Sequence, residues 1–487
     1  MEELQIPAGY LWRRPGHGSC ERDVTVCVKD GTIDTVRTTG PIQAAAGRLV
    51  MPALVNAHDH GRALTNLAFG ARDEFFETWR GALYAQPYLD PYTSAAYAFG
   101  RMALAGIGTT LCVYSSINVA RLADDAEAIC RAARDVGIRV GFVVPLRNQN
   151  TMALGDDAEV LAMHDPADQE MIRNTWLYPW PTPADYVALV RDIARRVEGP
   201  TVTIQYGPNS PHACNDELIS AIAVGAAEDG RRIHAHFMKS LPQREWADAR
   251  YPGGIVRHLD RLGWLSPRFT VAHGIWLGDD DCKLLGSRGV SVAVNTSSNL
   301  RLFSGTSPIW RYMAHGMGFS FGLDSFSLDD DADMFRELRI SHWLHGGNNI
   351  SPRLTLPVLF DSALKTGFRI VMNDDNYGAV ELGMPGDLVG LDYAVMSADI
   401  AEGLVEPEDV LMVRASSRHV TDLWVAGRLI VREGRLTGLD FESLQREVMK
   451  DASSQADRMR AMQPLLRRHQ STLRAFYDAG LHKRPTA

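Results

Sequence analysis

Val55-Asn56-Ala57-His58-Asp59-His60 sets two imidazoles two positions apart at the end of an apolar, β-rich run. Residues i and i+2 of a strand point to the same side, so His58 and His60 can converge on one cation at about 2.0–2.1 Å. An H-x-H pair by itself also occurs at surfaces and in packing. Three further run ends change that weighing: Ile233-His234-Ala235-His236, Val271-Ala272-His273-Gly274 and Gly322-Leu323-Asp324-Ser325. Histidines closing three apolar runs, with an aspartate closing a fourth, are hard to account for as packing. The chemistry they suggest is hydrolysis. A divalent ion lowers the pKa of a bound water to about 7, and a nearby carboxylate can then take its proton.

Such side chains need elements to hold them. Candidate strands cover 51–57, 109–115, 139–145, 201–207, 232–237, 269–274, 290–296 and 319–324, with helical patterns between several of them, as in 126–136 and 184–197. Runs apolar on both faces fit a parallel sheet covered by helices. Eight units predict an α/β fold built on a (β/α)8 TIM barrel, whose C-terminal strand ends form the active-site face. Alternating runs with glycine turns at 23–38 and 420–436 read as hairpins. They predict a small β-sandwich assembled from both chain ends. The expected boundaries are 1–51 plus 376–440 for the sandwich, 52–375 for the barrel and 441–487 for a helical extension, amphipathic over 442–480.

Composition narrows the class. The 487 residues, 45% hydrophobic and 22% charged, suit a globular chain with a large core. A net charge of −9 offers no basic excess for phosphate backbones, so nucleic acid is not an expected partner. The six cysteines are scattered without a C-x-x-C pair and read as buried, reduced thiols. The first residues lack a signal-peptide apolar region, and no apolar run approaches a membrane span. A cytoplasmic protein acting on a small molecule, without a membrane partner and assembled as a homo-oligomer (a dimer or higher), is expected.

In its motifs the chain resembles the amidohydrolase superfamily, specifically the cytosine-deaminase and triazine-hydrolase-like branch, and is similar also to phenylurea and thiocarbamate hydrolases. The resemblance covers nearly the whole chain. It is carried by Met51 through His58, by Asn295-Thr296-Ser297-Ser298-Asn299-Leu300, by Leu323-Asp324-Ser325 running into Asp331 through Phe335, and by Gly386-Asp387-Leu388-Val389. It implies that His58, His60, His236 and Asp324 bind one divalent metal. Zinc is the first expectation; iron, cobalt and manganese suit the same donors. It also implies that Asp324 acts as general base and that His273 orients the nucleophile or polarises the substrate. His234 faces the same way as His236 but one layer deeper, and either reaches the metal or serves as a core residue or a support for a ligand. His164, His342 and His345 are expected to be structural. Strand four, 201–206, has no lysine to bridge two metals, which predicts a mononuclear site.

Two departures bear on the reaction. Deaminases of this branch carry a glutamate three residues after the strand-five ligand, where this chain has Lys239. Ring deamination needs an acid to protonate the ring nitrogen. A lysine is better suited to stabilising a developing oxyanion or giving a proton to a departing amine. Alternatively Lys239 faces solvent and another acid serves. Asn209 stands where many ring deaminases show histidine. Other substrate contacts are expected from Arg62, unless it makes a structural salt bridge, and from His212, unless it is an ordinary loop histidine. Trp79 belongs to an aromatic-rich loop after strand one, and Trp176, Tyr178 and Trp180 to a second; such loops serve as pocket walls or as packing between subunits. The leading expectation is a mononuclear metal-dependent hydrolase that cleaves a non-peptide C–N bond of a small aromatic urea, amide or carbamate by attack of metal-activated water. Lys239 would then act with Asp324 and His273 as a catalytic residue. The alternative is a heteroaromatic aminohydrolase acting on a pterin, purine, pyrimidine or triazine. A metal-free, non-enzymatic scaffold is the reading from another class.

Overall fold

Long apolar runs leave the chain few ways to bury both faces of its strands. In the computed structural model, which describes residues 4–114, 119–347, 350, 353–401 and 403–484, the solution is two eight-stranded sheets. Ser115, the last residue of the second expected strand, lies outside the described residues. The N-terminal strands β1 (Leu4–Leu11), β2 (Glu21–Lys29), β3 (Thr32–Thr38) and β4 (Arg48–Pro52) belong to one sheet. The barrel follows as β5 (Leu54–Asn56), β6 (Ile107–Val113), β7 (Arg139–Leu146), β8 (Val202–Pro208), β9 (Ile233–Phe237), β10 (Phe269–His273), β11 (Ser291–Val294) and β12 (Gly318–Phe321). The chain then returns to the first sheet as β13 (Leu388–Asp392), β14 (Val420–Val425), β15 (Arg428–Arg432) and β16 (Arg435–Leu436).

The barrel strands run parallel in sequence order. Every residue of β6 and of β7 is buried, as a parallel sheet covered on both faces requires. The seam between β12 and β5 is closed by backbone bonds, Ala57 N–H to Phe321 O and Asp324 N–H to His58 O, each 2.9 Å. The covering helices start where the sequence provides caps. Before the helix Pro183–Val197, Thr182 Oγ1 accepts Asp185 N–H at 3.2 Å, and Pro183 opens the first turn.

The expected strand 51–57 serves both sheets. Met51 and Pro52 end β4, and only Leu54 onward enters the barrel. In the other sheet, of order β16-β15-β14-β13-β4-β1-β2-β3, four strands come from each chain end, and it curls over a core that includes Val26, Ile33, Val50, Leu388 and Trp424. The sheet and barrel are pinned by a buried pair. Arg139, opening β7, donates through Nε to Asp387 Oδ2 at 2.6 Å and through Nη2 to Oδ1 at 3.1 Å. The chain ends in helices Phe441–Ser454 and Ala456–Asp478, and the second packs Leu466, Leu473 and Phe476 into a core shared with Trp79 and Trp176 beside the barrel mouth. Among the described residues no helix is long and apolar enough to cross a membrane, and all six cysteines are unbonded.

Candidate metal centre

Four side chains from three separated strand ends meet at the C-terminal mouth of the barrel. One donor atom each from His58, His60, His236 and Asp324 lies within 4.8 Å of all the others. Each imidazole is turned by a bond at its other nitrogen. His60 Nδ1 is 2.8 Å from Val113 O, His236 Nδ1 is 2.8 Å from Asn209 O, and His58 Nδ1 is 2.8 Å from His234 Nε2. A carbonyl accepts only, so Nδ1 of His60 and of His236 carries the proton and Nε2 offers its lone pair to a cation. Asp324 Oδ1 lies 3.1 Å from His58 Nε2 and 3.0 Å from His60 Nε2, facing the same point. Three imidazole nitrogens and one carboxylate oxygen form a donor set that fits zinc or a neighbouring divalent ion. His234 supports His58 and is not in the group of donors.

The other carboxylate oxygen has a different set of partners. Lys239 Nζ donates to Asp324 Oδ2 at 3.1 Å, Ser298 Oγ donates to the same oxygen, and His273 Nε2 stands 3.9 Å away. Burial works against the Asp324 charge, yet the ammonium of Lys239, foremost among its neighbours, holds its carboxyl well below the usual carboxylate range. Burial pushes Lys239 down from the ordinary lysine value, with Asp324 opposing that shift. His60, His236 and His273 are all lowered by burial first. The neutral form that results is the form that ligates metal. His273 is oriented by Asn299, whose Oδ1 lies 2.9 Å from its Nδ1, and among the described residues its Nε2 has no hydrogen-bond partner.

Backbone strain concentrates here. Met238, His273, Asp324 and Ser325 have φ of 52°, 76°, 57° and 50°, in the left-handed region that non-glycine residues avoid. Asp59, between the two N-terminal ligands, holds the turns together. It accepts from Asn56 Nδ2 at 3.0 Å and, at its two oxygens, from the backbone of His60, Gly61 and Ser325 at 2.8, 2.9 and 3.1 Å. Lys239 is fixed by a similar clasp. Its N–H donates to Gln243 Oε1 at 2.8 Å, while Gln243 Nε2 and Ser240 Oγ donate to the buried Glu77. Tyr477, from the last long helix, donates to Glu77 Oε2 at 3.2 Å.

The metal cluster opens into a cavity of about 200 Å³ lined by residues that include His60, His236, Asp324, Lys239, Arg62, Trp79, Asn209 and His212. All four expected substrate contacts thus lie on its wall. Among the described residues, the Oδ1 of Asn209 and the Nε of Arg62 are buried without hydrogen-bond partners. Arg62 Nη1 donates to Asn66 Oδ1 at 3.3 Å rather than to a carboxylate. Burial pushes His212 down to about 3, and its Nε2 donates to Gln243 O at 3.3 Å. Lys239 faces this buried site and not solvent. Of the three aromatics expected from the second loop, Trp180 lines the cavity, Trp176 is buried against Tyr84, and Tyr178 is exposed. Phe76 and Phe326 complete aromatic walls, with Lys239 Nζ 4.5 Å from the Phe76 ring centre. His164 is structural, bonded to His469 at 3.0 Å.

The sequence reading did not single out Asp59, Glu77, Arg147, Asn299 or Tyr477. Asp59 stood inside the histidine motif and offered a local signal. Asn299 stood inside the Asn295–Leu300 motif, while Glu77 and Tyr477 act through each other, which only the fold brings near.

A model of the Amidohydrolase family matches residues 49–430. The 5'-deoxyadenosine deaminase of Methanopyrus kandleri is 26% identical over 84% of this chain and 86% of its own length. The 5-methylthioadenosine/S-adenosylhomocysteine deaminase of Nitratidesulfovibrio vulgaris is 26% identical over 92% and 96%. Among solved structures, a zinc-bound adenosine deaminase from Xanthomonas campestris superposes with a TM-score of 0.74 at 22% identity, covering 94% of this chain and 98% of that one. The zinc complex of an atrazine chlorohydrolase from Arthrobacter aurescens TC1 gives 0.73 at 20%, covering 92% and 99%. These last two likenesses establish the shared fold.

Proposed function

The chain belongs to the amidohydrolase family, and from that premise we propose that it is a metal-dependent aminohydrolase, replacing an exocyclic amine of a heteroaromatic ring by oxygen and releasing ammonia. The observation that carries this reading is the cluster of His58, His60, His236 and Asp324 opening on an aromatic-walled cavity. Relatives aligned over most of the chain support the class, because they are deaminases of adenine nucleosides. The order expected from the sequence is therefore reversed, with ring deamination ahead of acyl cleavage.

A divalent ion held by His58, His60, His236 and Asp324 would supply the Lewis acidity that makes water nucleophilic near neutral pH. The chain's own groups divide the remaining work. Asp324 would hold the cation together with the three histidines, and its carboxylate would accept the proton of the attacking water. Lys239, in hydrogen bond with Oδ2, passes a proton to the substrate nitrogen. His273 Nε2, held by Asn299 through the opposite nitrogen, stabilises charge that develops on the attacked carbon's oxygen or nitrogen. Trp79, Phe76 and Phe326 face the flat part of the substrate and exclude water.

Lys239 favours a second reading. An ammonium is poorly suited to the repeated proton transfers of ring deamination and well suited to an oxyanion or a departing amine. The substrate would then be an acyclic urea, amide or carbamate. One experiment separates the two: zinc-loaded protein is offered adenine nucleosides, aminopyrimidines and aminotriazines beside ureas, anilides and carbamates, with ammonia, amine and CO2 all followed. Ammonia from ring amines supports the first reading. Amine from the acyclic set with inert ring amines replaces it by the second. Failure with every class, in protein that cannot be loaded with metal, would sink both.

A further inference from the structure

Glu77 is fully buried behind the cavity wall, a carboxylate that takes no part in holding the metal. It lies in the short helix Phe76–Trp79 after β5 and accepts from three side chains. Ser240 Oγ donates to Oε1, Gln243 Nε2 donates to the same oxygen at 3.3 Å, and Tyr477 donates to Oε2 at 3.2 Å. Its ion-pair partner Arg80 stands farther off, at 3.8 Å.

Two of these partners lead to Lys239. Ser240 follows it in the chain, and Gln243 uses the other end of its amide, Oε1, to accept the Lys239 N–H at 2.8 Å. A carboxamide can turn over and exchange its oxygen for its NH2, but an N–H can bond only to the oxygen. A carboxylate accepts and does not donate. Glu77 therefore admits only the orientation that turns the NH2 of Gln243 toward itself and the oxygen toward Lys239. Lys239 also follows Met238, whose φ of 52° persists only where its surroundings hold it. At the far end of the side chain, Nζ reaches Asp324 Oδ2 at 3.1 Å and stands 4.5 Å from the ring centre of Phe76, the neighbour of Glu77. The lysine thus spans from a backbone clasped through Glu77 to a carboxylate of the metal centre.

The third partner comes from the other end of the chain. Tyr477, on the helix Ala456–Asp478, donates to Glu77 and accepts the N–H of Leu154, a residue of the cavity wall, at 3.1 Å. The same helix is tied to the segment that carries Glu77 by bonds from Gln470 and Arg474 to Glu74.

We infer that Glu77 is a positioning residue for the reaction: it fixes the amide of Gln243 so that Lys239 stays on Asp324, and the C-terminal helix holds Glu77 in place through Tyr477. This rests on the reading that gives Lys239 a part in proton transfer, and it is common to both substrate classes.

The test has an optical readout that needs no substrate. Cobalt suits the same four donors, and its visible bands follow the geometry of its ligands. Lys239→Met, Glu77→Gln and the double variant are loaded with cobalt and compared with the unmodified protein, and kcat and KM are measured on whichever substrate class is turned over. Lys239→Met is expected to shift the bands by releasing Asp324 Oδ2. Glu77→Gln keeps the shape but offers an NH2 that lets Gln243 turn over. It should shift the bands in the same direction and lower kcat roughly tenfold to a hundredfold at unchanged KM. In the Lys239→Met background it should change nothing further, because it acts through the lysine. Should Glu77→Gln not fold, Tyr477→Phe serves, with a smaller shift and a smaller loss of kcat that again vanish once Lys239 is replaced. An effect of Glu77→Gln equally large without the lysine would reduce Glu77 to a support of the fold and overturn the proposal. Bands unmoved by Glu77→Gln, or an unchanged kcat in an active enzyme, would overturn it too, as would bands that Lys239→Met itself leaves in place. Coupled band shifts in a protein that turns over no compound of either class would support the positioning while removing the functional reading, so the two fail separately.

Discussion

Lys239 Nζ and Asp324 Oδ2 are 3.1 Å apart, and both side chains are almost fully buried. The pair joins the carboxylate that closes the metal site to the residue by which this chain departs from the ring-deaminase pattern. Asp324 Oδ1 faces the histidines and Oδ2 faces the lysine. One carboxylate can therefore serve a cation and a proton path at once.

Lys239→Met should leave zinc content intact and lower kcat by about 10²–10⁴, the usual range for losing a positioned acid or base. Lys239→Glu separates the two substrate readings. It should leave ring deamination competent and cripple urea or amide cleavage. Metal analysis with kcat on both substrate classes checks this, and a Lys239→Met enzyme of unchanged kcat would remove lysine from the mechanism.

His234→Phe should weaken zinc affinity about 10- to 100-fold, the usual effect of deleting a group that orients a ligand. His58 Nδ1 loses its 2.8 Å partner while all four donors stay in place. Competition with a chromophoric chelator gives the affinity. An unchanged value would reduce His234 to core packing.

Glu337 is buried where it accepts the N–H of Ser297 at 3.1 Å, next to the Ser298 that donates to Asp324. Burial raises its carboxyl from 4.5 to about 7. The folded state thus holds the proton more tightly than the unfolded chain. Its contribution to stability is complete below about pH 4.5 and is lost as the pH rises to about 7, a change on the order of 3 kcal/mol. Glu337→Gln should flatten that fall. Chemical denaturation of both proteins at pH 5 and pH 8 measures it, and parallel pH profiles would refute the assignment.

Arg139→Met should destabilise the fold by about 3–5 kcal/mol, because it leaves Asp387 buried without its ion-pair partner. Asp387 also accepts Ala426 N–H at 2.6 Å, so the loss falls on the junction of sheet and barrel and not on the metal site. The denaturation midpoint should drop while zinc affinity holds. A midpoint unchanged within error would show that the pair contributes nothing to the junction.

By itself the sequence determined the barrel and the closing of its strands on histidine and aspartate, and it pointed to the four candidate metal donors that the fold gathers. Period-2 geometry is local, so His58 and His60 share a side in any strand that contains them. The apolar character of 139–145 or 269–274 leaves few environments other than a covered parallel sheet. The sequence also exposed Lys239 as an exception, three residues beyond His236. Tertiary structure decided what each of these groups faces. His234 and His236 have the same alternation, and only the depth of β9 in the barrel sets one against His58 and the other in the donor cluster. Carbonyl oxygens of Val113 and Asn209 fix the ligand rings, and carbonyls have no signature in residue type. Lys239 met Asp324 across 85 residues and Tyr477 met Glu77 across 400. Closing the barrel and docking the last helix bring these groups together, and no spacing along the chain records either event.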